Sequence, residues 1–174
     1  SETLACLYSV LSAEPSSEIV AINDCSPDET LVERLRELAS DGLIQLEENE
    51  RNLGFALTVN LGMALYPDRD VVLLNSDTEV YGDWLERLNR LVHSDAKFGT
   101  ATPLSNNAEI CSYPHWLQDN PMQLESGYET LDRLASHTNQ GEFVEAPTAV
   151  GFCMYIRRNC LTEVGPFDER FAAG

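Results

Sequence analysis

Lysine is almost missing from this sequence: Lys97 is the single one in 174 residues. With arginine, the cationic side chains number 11 against 29 Asp and Glu, a formal net charge of -18. Such a surface repels phosphate backbones and anionic lipid, which argues against a general nucleic-acid or membrane-surface binder. Long apolar runs are also lacking. The longest uncharged stretch, 52–67, is broken by Gly54, Asn60 and Gly62, and a bilayer span needs about 20 apolar residues. Cysteine is sparse and unpaired: Cys6, Cys25, Cys111, Cys153 and Cys160 contain no C-x-x-C, so reduced, cytosolic thiols are expected rather than a disulfide framework or a zinc site. Neither G-x-G-x-x-G nor G-K-[ST] occurs, which removes the dinucleotide fingerprint and the P-loop. No basic-plus-apolar leader, repeat or low-complexity tract is visible, and a cytoplasmic protein is expected.

What is present is an alternation of helix-like and strand-like apolar periods. At 174 residues and 43% hydrophobic, one domain spanning 1–174 is expected. Leu4, Leu7, Tyr8 and Leu11 recur at helical spacing. A strand is expected at 18–22, then a helix with Ser26 as N-cap, Pro27 at its first position and Leu31, Leu35 and Leu38 as its buried stripe. Further strands are expected at 43–46, 70–74 and 98–102, with helices at 53–65 and from Asp83 through Trp84, Leu88 and Val92. After a long Asn-, Ser- and Pro-rich stretch at 103–127, 128–138 reads as helix, 143–145 and 150–156 as extended, and 158–164 as helix. The pattern predicts an α/β fold with a mostly parallel sheet covered by helices on both faces.

In such a sheet ligands bind beyond the carboxyl ends of the strands. Two carboxylates fall there: Asp24 after the first strand, and Asp77 within Asn75-Ser76-Asp77-Thr78 after the third. Either alone reads equally as a cap or turn acid. Two at equivalent ends strengthen a ligand reading. Magnesium or manganese takes one or two protein carboxylates and completes its shell with phosphate and water, so Asp77 with Asn75 is sufficient when a diphosphate supplies the remainder. Arg51-Asn52-Leu53-Gly54-Phe55 marks another helix start, whose amides could meet a phosphate. Trp116 with Tyr113 reads either as a sugar-stacking platform or as an apolar anchor of the long loop. His93, His115 and His137 read as surface or capping residues.

These pieces resemble the family 2 glycosyltransferases of the GT-A, Rossmann-like type. The resemblance is carried by Ile22-Asn23-Asp24-Cys25-Ser26-Pro27-Asp28, by Arg51 to Phe55 with Asn60 and Gly62, by Leu73-Leu74-Asn75-Ser76-Asp77, by Gly151-Phe152-Cys153-Met154 with Arg157 and Arg158, and by Gly165-Pro166-Phe167-Asp168-Glu169. It is strongest toward bacterial members that build rhamnose-containing or other surface polysaccharides. The resemblance implies that Asp24, Asn52, Gly54 and Ser76 contact the nucleotide. It implies further that Asp77 and Asn75 hold Mn2+ or Mg2+, and that Gly151 lies beside the donor sugar and acceptor. Asn75 stands where the family's D-x-D motif has its first acid, and Cys25 where a glycine is common. The implied partners are a nucleotide-diphospho-sugar donor and a saccharide or lipid-linked saccharide acceptor, in an inverting reaction. The resemblance further implies a strand before the chain and a base-bearing acidic segment beyond Gly174, so the piece by itself is expected to be inactive. Asp168 and Glu169 read as structural. Rival readings are a sugar-nucleotide nucleotidyltransferase, which would want a Gly-rich loop with Arg and Lys, and a non-catalytic nucleotide-sugar or protein-binding module.

Overall fold

The computed structural model describes residues 1–120 and 122–171. Its elements in chain order are α1 Glu2–Ala13, β1 Val20–Asn23, α2 Glu29–Ser40, β2 Gln45–Glu48, α3 Phe55–Leu65, β3 Val71–Leu74, α4 Trp84–Ser94, β4 Thr100–Ala101, α5 Tyr128–Thr138, β5 Cys153–Ile156 and α6 Arg158–Val164. Single 3-10 turns lie at Glu109–Cys111 and Glu169–Phe171. The stretch 143–145, expected to be extended, joins no strand.

Local chemistry accounts for most of these starts. Helix α2 begins two residues later than the Ser26–Pro27 pair suggests. Asp28 is its N-cap, accepting Leu31 N at 3.1 Å, while Ser26 N is held back in the preceding turn by Asn23 Oδ1 at 2.9 Å. Both Ser and Asp cap well, so the competing bond from Asn23 decides between them. Asp83 sits at the cap position of α4 without a capping hydrogen bond. Its carboxylate instead meets Arg87 Nε at 3.0 Å and Arg90 Nη2 at 3.1 Å, ion pairs on the first turns of the helix.

Strands β1 and β2 pair in parallel, from Val20 opposite Gln45 to Asn23 opposite Glu48. The other three strands form a second sheet, in the order β3-β5-β4, and depart from the expected single, mostly parallel sheet. Strand β5 lies between β3 and β4 and runs antiparallel to both, with Leu74 opposite Cys153 and Ala101 opposite Tyr155. The α/β architecture stands, but two of these three pairings are antiparallel. The chain leaves β4 and re-enters β5 at the same end of the strands, the return that an antiparallel pair uses, although the long link with α5 could also span a crossover.

All four residues of β5 are buried, and they alternate between two helical layers. Cys153 and Tyr155 pack with Trp84, Leu88 and Val92 of α4, together with Val10 of α1. Met154 and Ile156 pack with Met63 of α3 and Leu73 of β3. A third cluster, Leu7, Leu35, Leu38 and Ile44, joins α1 to α2. Each of these large apolar side chains contributes about 1.5–3 kcal/mol when buried. Helices therefore cover both faces, as the periodicity predicts.

The end of β5 fastens these layers. Arg157 Nη1 donates to Val92 O, Asp95 O and Phe98 O, each at 3.3 Å, at the carboxyl end of α4. Arg158 donates to Met63 O at 3.1 Å, Tyr66 O at 2.8 Å and Arg69 O at 2.6 Å, at the carboxyl end of α3. Neither helix ends in a glycine, so these guanidiniums satisfy carbonyls that lack helical partners and meet the negative ends of the helix dipoles. Asp70 completes the junction. It accepts Arg158 N at 2.8 Å, Tyr155 OH at 2.9 Å and His93 Nε2 at 2.8 Å. Desolvation, which alone would raise its pKa, is outweighed by these donors, and the carboxyl lies below its usual range.

Candidate functional site

Strand direction brings the expected site residues to one end of the two sheets. Cys6 Sγ, near the start of α1, donates to Asn75 O at the end of β3 at 3.4 Å. Ser1 and Leu4 share a surface groove with Asp28, Thr30 and Leu31 at the start of α2, just beyond the end of β1. Both strands thus end beside the amino end of α1, while Glu18 and Arg69 pair at the opposite edge. Because β3 and β4 both run antiparallel to β5, the long loop departs from the same edge, and Gly151 arrives there.

Asp24 is engaged by its own chain. Its Oδ1 accepts Asn49 Nδ2 at 2.8 Å and Leu53 N at 2.8 Å, and its Oδ2 accepts Gly54 N at 2.8 Å. Desolvation raises its pKa, but the Leu53, Asn49, Gly54 and Thr58 hydrogen bonds more than offset it and hold the carboxyl below the ordinary aspartate value. The carboxylate thereby ties the 49–54 loop to the end of β1. This corrects the expectation that the amides opening α3 are free for a phosphate, since those of Leu53 and Gly54 are already spoken for. Gly54 has φ +79°, a conformation that favours glycine. Asn52 and Arg51 are exposed, and Arg51 has no carboxylate partner among the described residues.

Cys25 follows with φ +61° and an exposed side chain. A cysteine here bears the steric penalty of the left-handed region that a glycine avoids. Cys25→Gly should stabilise the protein by about 0.5–1 kcal/mol, the opposite of the usual sign for a substitution to glycine. Thermal denaturation checks this, and a destabilised variant would show that the turn does not carry that penalty.

At the end of β3, Asn75 N donates to Phe152 O at 2.8 Å and Thr78 N to Asn75 O at 3.1 Å, which turns Asn75, Ser76 and Asp77 outward. All three are exposed. Among the described residues the Asp77 carboxylate has neither a hydrogen bond nor an ion pair, so all its lone pairs face solvent. No group of three or more His, Cys, Asp or Glu among the described residues is placed to hold a metal. A hard cation at this edge would therefore draw on Asp77, Asn75 and oxygens of the substrate, a donor set suited to Mn2+ or Mg2+.

Phe55, the first residue of α3, links the Asp24 loop to the rest of the edge. A Cβ on Gly151 would lie 3.7 Å from Phe55 Cζ, an ordinary contact, so close packing alone does not demand glycine there. Phe55 also meets Phe167 edge-on, with centroids 6.1 Å apart. Asn60 pairs with the backbone of Phe167 in both directions, donating from Nδ2 to its O at 2.9 Å and accepting its N–H at 2.9 Å. Asp168 is occupied locally by Arg170, whose Nη2 donates to it at 2.6 Å.

Trp116 is 66% exposed, with only its Nε1 tied down, to Ile110 O at 3.0 Å. It is therefore not the anchor of the long loop. That role falls to Asn120, 2% exposed, which donates to His115 O at 2.9 Å and Gln118 O at 3.1 Å and accepts His115 N at 3.2 Å. Asn49 and Asn120 were not singled out by sequence reasoning, because a side-chain amide serving backbone groups in a loop leaves no periodic trace.

The sequence profile of glycosyl transferase family 2 matches residues 1–165. The chain belongs to glycosyl transferase family 2. Its α/β fold is of the GT-A type, and the chain is similar to a crystal structure described as GalNAc-T7 with UDP, GalNAc and Mn2+. The TM-score is 0.62 at 21% identity, over 97% of this chain and 34% of that one, so the family 2 chain spans about a third of the other's length. No curated relative matches by sequence. Among the described residues of the family 2 chain, no helix is long and apolar enough to cross a membrane.

Proposed function

We propose that the protein transfers a sugar, with inversion, from a nucleotide-diphosphate donor to a hydroxyl acceptor in the synthesis of a cell-surface polysaccharide or glycoconjugate, on the cytoplasmic side. The observation that carries this reading is the family match over residues 1–165. The outward Asp77 carboxylate, the exposed Asn75 and Ser76 and the Asp24-tied loop with Asn52 and Gly54 then form the donor side. Asp77 and Asn75 would hold Mn2+ or Mg2+, whose chemistry is to neutralise charge on the leaving diphosphate. In a chain of net charge -18, a diphosphate reaching this edge needs that neutralisation. Arg51, free of carboxylates among the described residues, adds positive charge beside Asn52. Gly151 and the exposed face of Trp116 form the acceptor side, where a saccharide ring can stack. The chain positions and desolvates the two reactants, which supplies much of the acceleration. No residue of this chain is assigned as the base that takes the acceptor proton. A nucleotidyltransferase is disfavoured by the one lysine, since Lys97 pairs with Glu145 at 2.8 Å.

A thermal-shift panel of nucleotide sugars with Mn2+ on the full-length protein tests the reading. A matched donor at 100 times its Kd should add about 2.7 kcal/mol, several degrees in Tm. A panel in which no nucleoside-diphosphate sugar shifts the transition would overturn it.

A further inference from the structure

The outward segment carrying Asp77 is held from beneath at both ends by one helix. Cys6 Sγ reaches Asn75 O at 3.4 Å, and three residues along α1 Ser9 Oγ accepts Val80 N at 3.1 Å while donating to Cys6 O at 2.7 Å. Asp77 lies between these two fixed points. Both polar side chains sit on the buried side of α1, where Leu7 and Val10 are otherwise apolar and where Cys6 is 5% exposed. A polar group on such a face is costly unless it is hydrogen-bonded, and here the partners are backbone groups of the 75–80 segment. The Ser9 hydroxyl has its donor and one acceptor position committed at once, so its rotamer is fixed.

We propose that Ser9, assisted by Cys6, is a positioning residue: it sets the backbone of the 75–80 segment so that Asp77 and Asn75 face a metal-bound diphosphate before either ligand arrives. The inference rests on the Asp77 reading given under Proposed function. Its physical basis is preorganisation. Among the described residues the side chains of Asn75, Ser76 and Asp77 make no hydrogen bonds, so backbone anchors carry their order, and losing the α1 contacts moves part of the ordering entropy from folding to binding. Cys6 supplies the weaker half, because a thiol is a poor donor and its contact to Asn75 O is long, 3.4 Å.

The test compares wild type, Ser9→Ala, Ser9→Thr and Asp77→Ala in the full-length protein, with two readouts. The first is amide hydrogen exchange across 77–80 without metal or nucleotide. The second is the Kd for UDP in Mn2+ and in its absence. Ser9→Ala should speed exchange at Val80 and weaken UDP binding in Mn2+ by about fivefold each, the factor for one ordinary hydrogen bond of roughly 1 kcal/mol. It should weaken metal-free UDP binding less than binding in Mn2+, because only Ser76 of this segment then meets the nucleotide. Ser9→Thr keeps the hydroxyl and should restore both, which a purely structural loss of packing would not predict. Wild-type exchange at 77–80 in Ser9→Ala, or a wild-type Kd in Mn2+, overturns the positioning role. Retention of the Mn2+ effect in Asp77→Ala overturns the Asp77 reading instead, so the two failures are separable. Should Ser9→Ala not fold, Cys6→Ala reads the Asn75 end by the same two measurements, with unchanged exchange and Kd counting against the inference.

Discussion

Asp77→Ala should abolish the metal-dependent part of UDP stabilisation while leaving the unliganded protein as stable as wild type. Asp77 is exposed and makes no hydrogen bond or ion pair among the described residues, so its removal costs the fold no more than the ~0.5 kcal/mol usual for surface positions. Removing one negative charge from a chain at -18 acts, if anything, in the stabilising direction. Ligand binding is another matter. Asn75 offers the cation one neutral carbonyl oxygen, whereas the carboxylate offers full negative charge, and hard divalent ions require the latter. At 100 times the wild-type Kd UDP adds about 2.7 kcal/mol in Mn2+, and the share of it that requires Mn2+ should vanish. The measurement is Tm with UDP, with Mn2+, and with both. An undiminished Mn2+ increment in the variant would remove Asp77 from the metal assignment.

Asp24→Ala should instead weaken the fold itself. Three donors, Asn49 Nδ2, Leu53 N and Gly54 N, converge on this carboxylate at 2.8 Å, and bonds to a charged acceptor are the stronger kind. Losing all three should cost about 3 kcal/mol, because some donors regain water while others stay partly buried. Asp24→Asn should recover little of this, since one of the two oxygens becomes an NH2 group facing N–H donors. The pH dependence has a defined sign. A carboxyl whose folded pKa lies below its unfolded value, about 3.9, contributes its full stabilisation above that value and loses it as pH falls through the folded pKa. Wild type and Asp24→Asn should therefore differ most near neutral pH and converge in acid below about 4. Urea melts at pH 7 and pH 3 check this. A gap of the same size at both would show that the charge of Asp24 does not hold the loop.

Short-range rules made much of the architecture legible. Helices α5 and α6 fall where their periodicity places them, at Tyr128–Thr138 and Arg158–Val164, because spacing and flanking residues act within a single turn. The start of α2 shifted from Ser26 to Asp28 because two good caps compete and a side chain from β1 decides. The direction of β5 was not legible, since its apolar run is compatible with either orientation and the choice depends on where the long loop returns. At the candidate site, the motif residues Asp24, Asn75 and Asp77 follow the ends of β1 and β3 as the strand pattern places them, but their bonding was hidden. Asp24 turned out to serve Leu53 and Gly54, and Trp116 left the anchoring of its loop to Asn120. Each surprise is a hydrogen bond between residues that no periodicity relates.

Arg157 and Arg158 are neighbours in sequence, yet they reach the ends of α4 and α3 in different layers of the molecule. The strand-to-helix turn after β5, with Arg157 extended and Arg158 opening α6, sends the two side chains to different layers, so one dipeptide ties both helix ends to β5. Neither helix can fray from its carboxyl end while β5 stays seated, and once β5 is withdrawn both lose their terminal partners together. The two layers thus open as one cooperative unit. Asp24 and Asp77 lie at the other end of the strands, where separate anchors from α1 and the 49–54 loop hold them, so a substitution there need not loosen that joint.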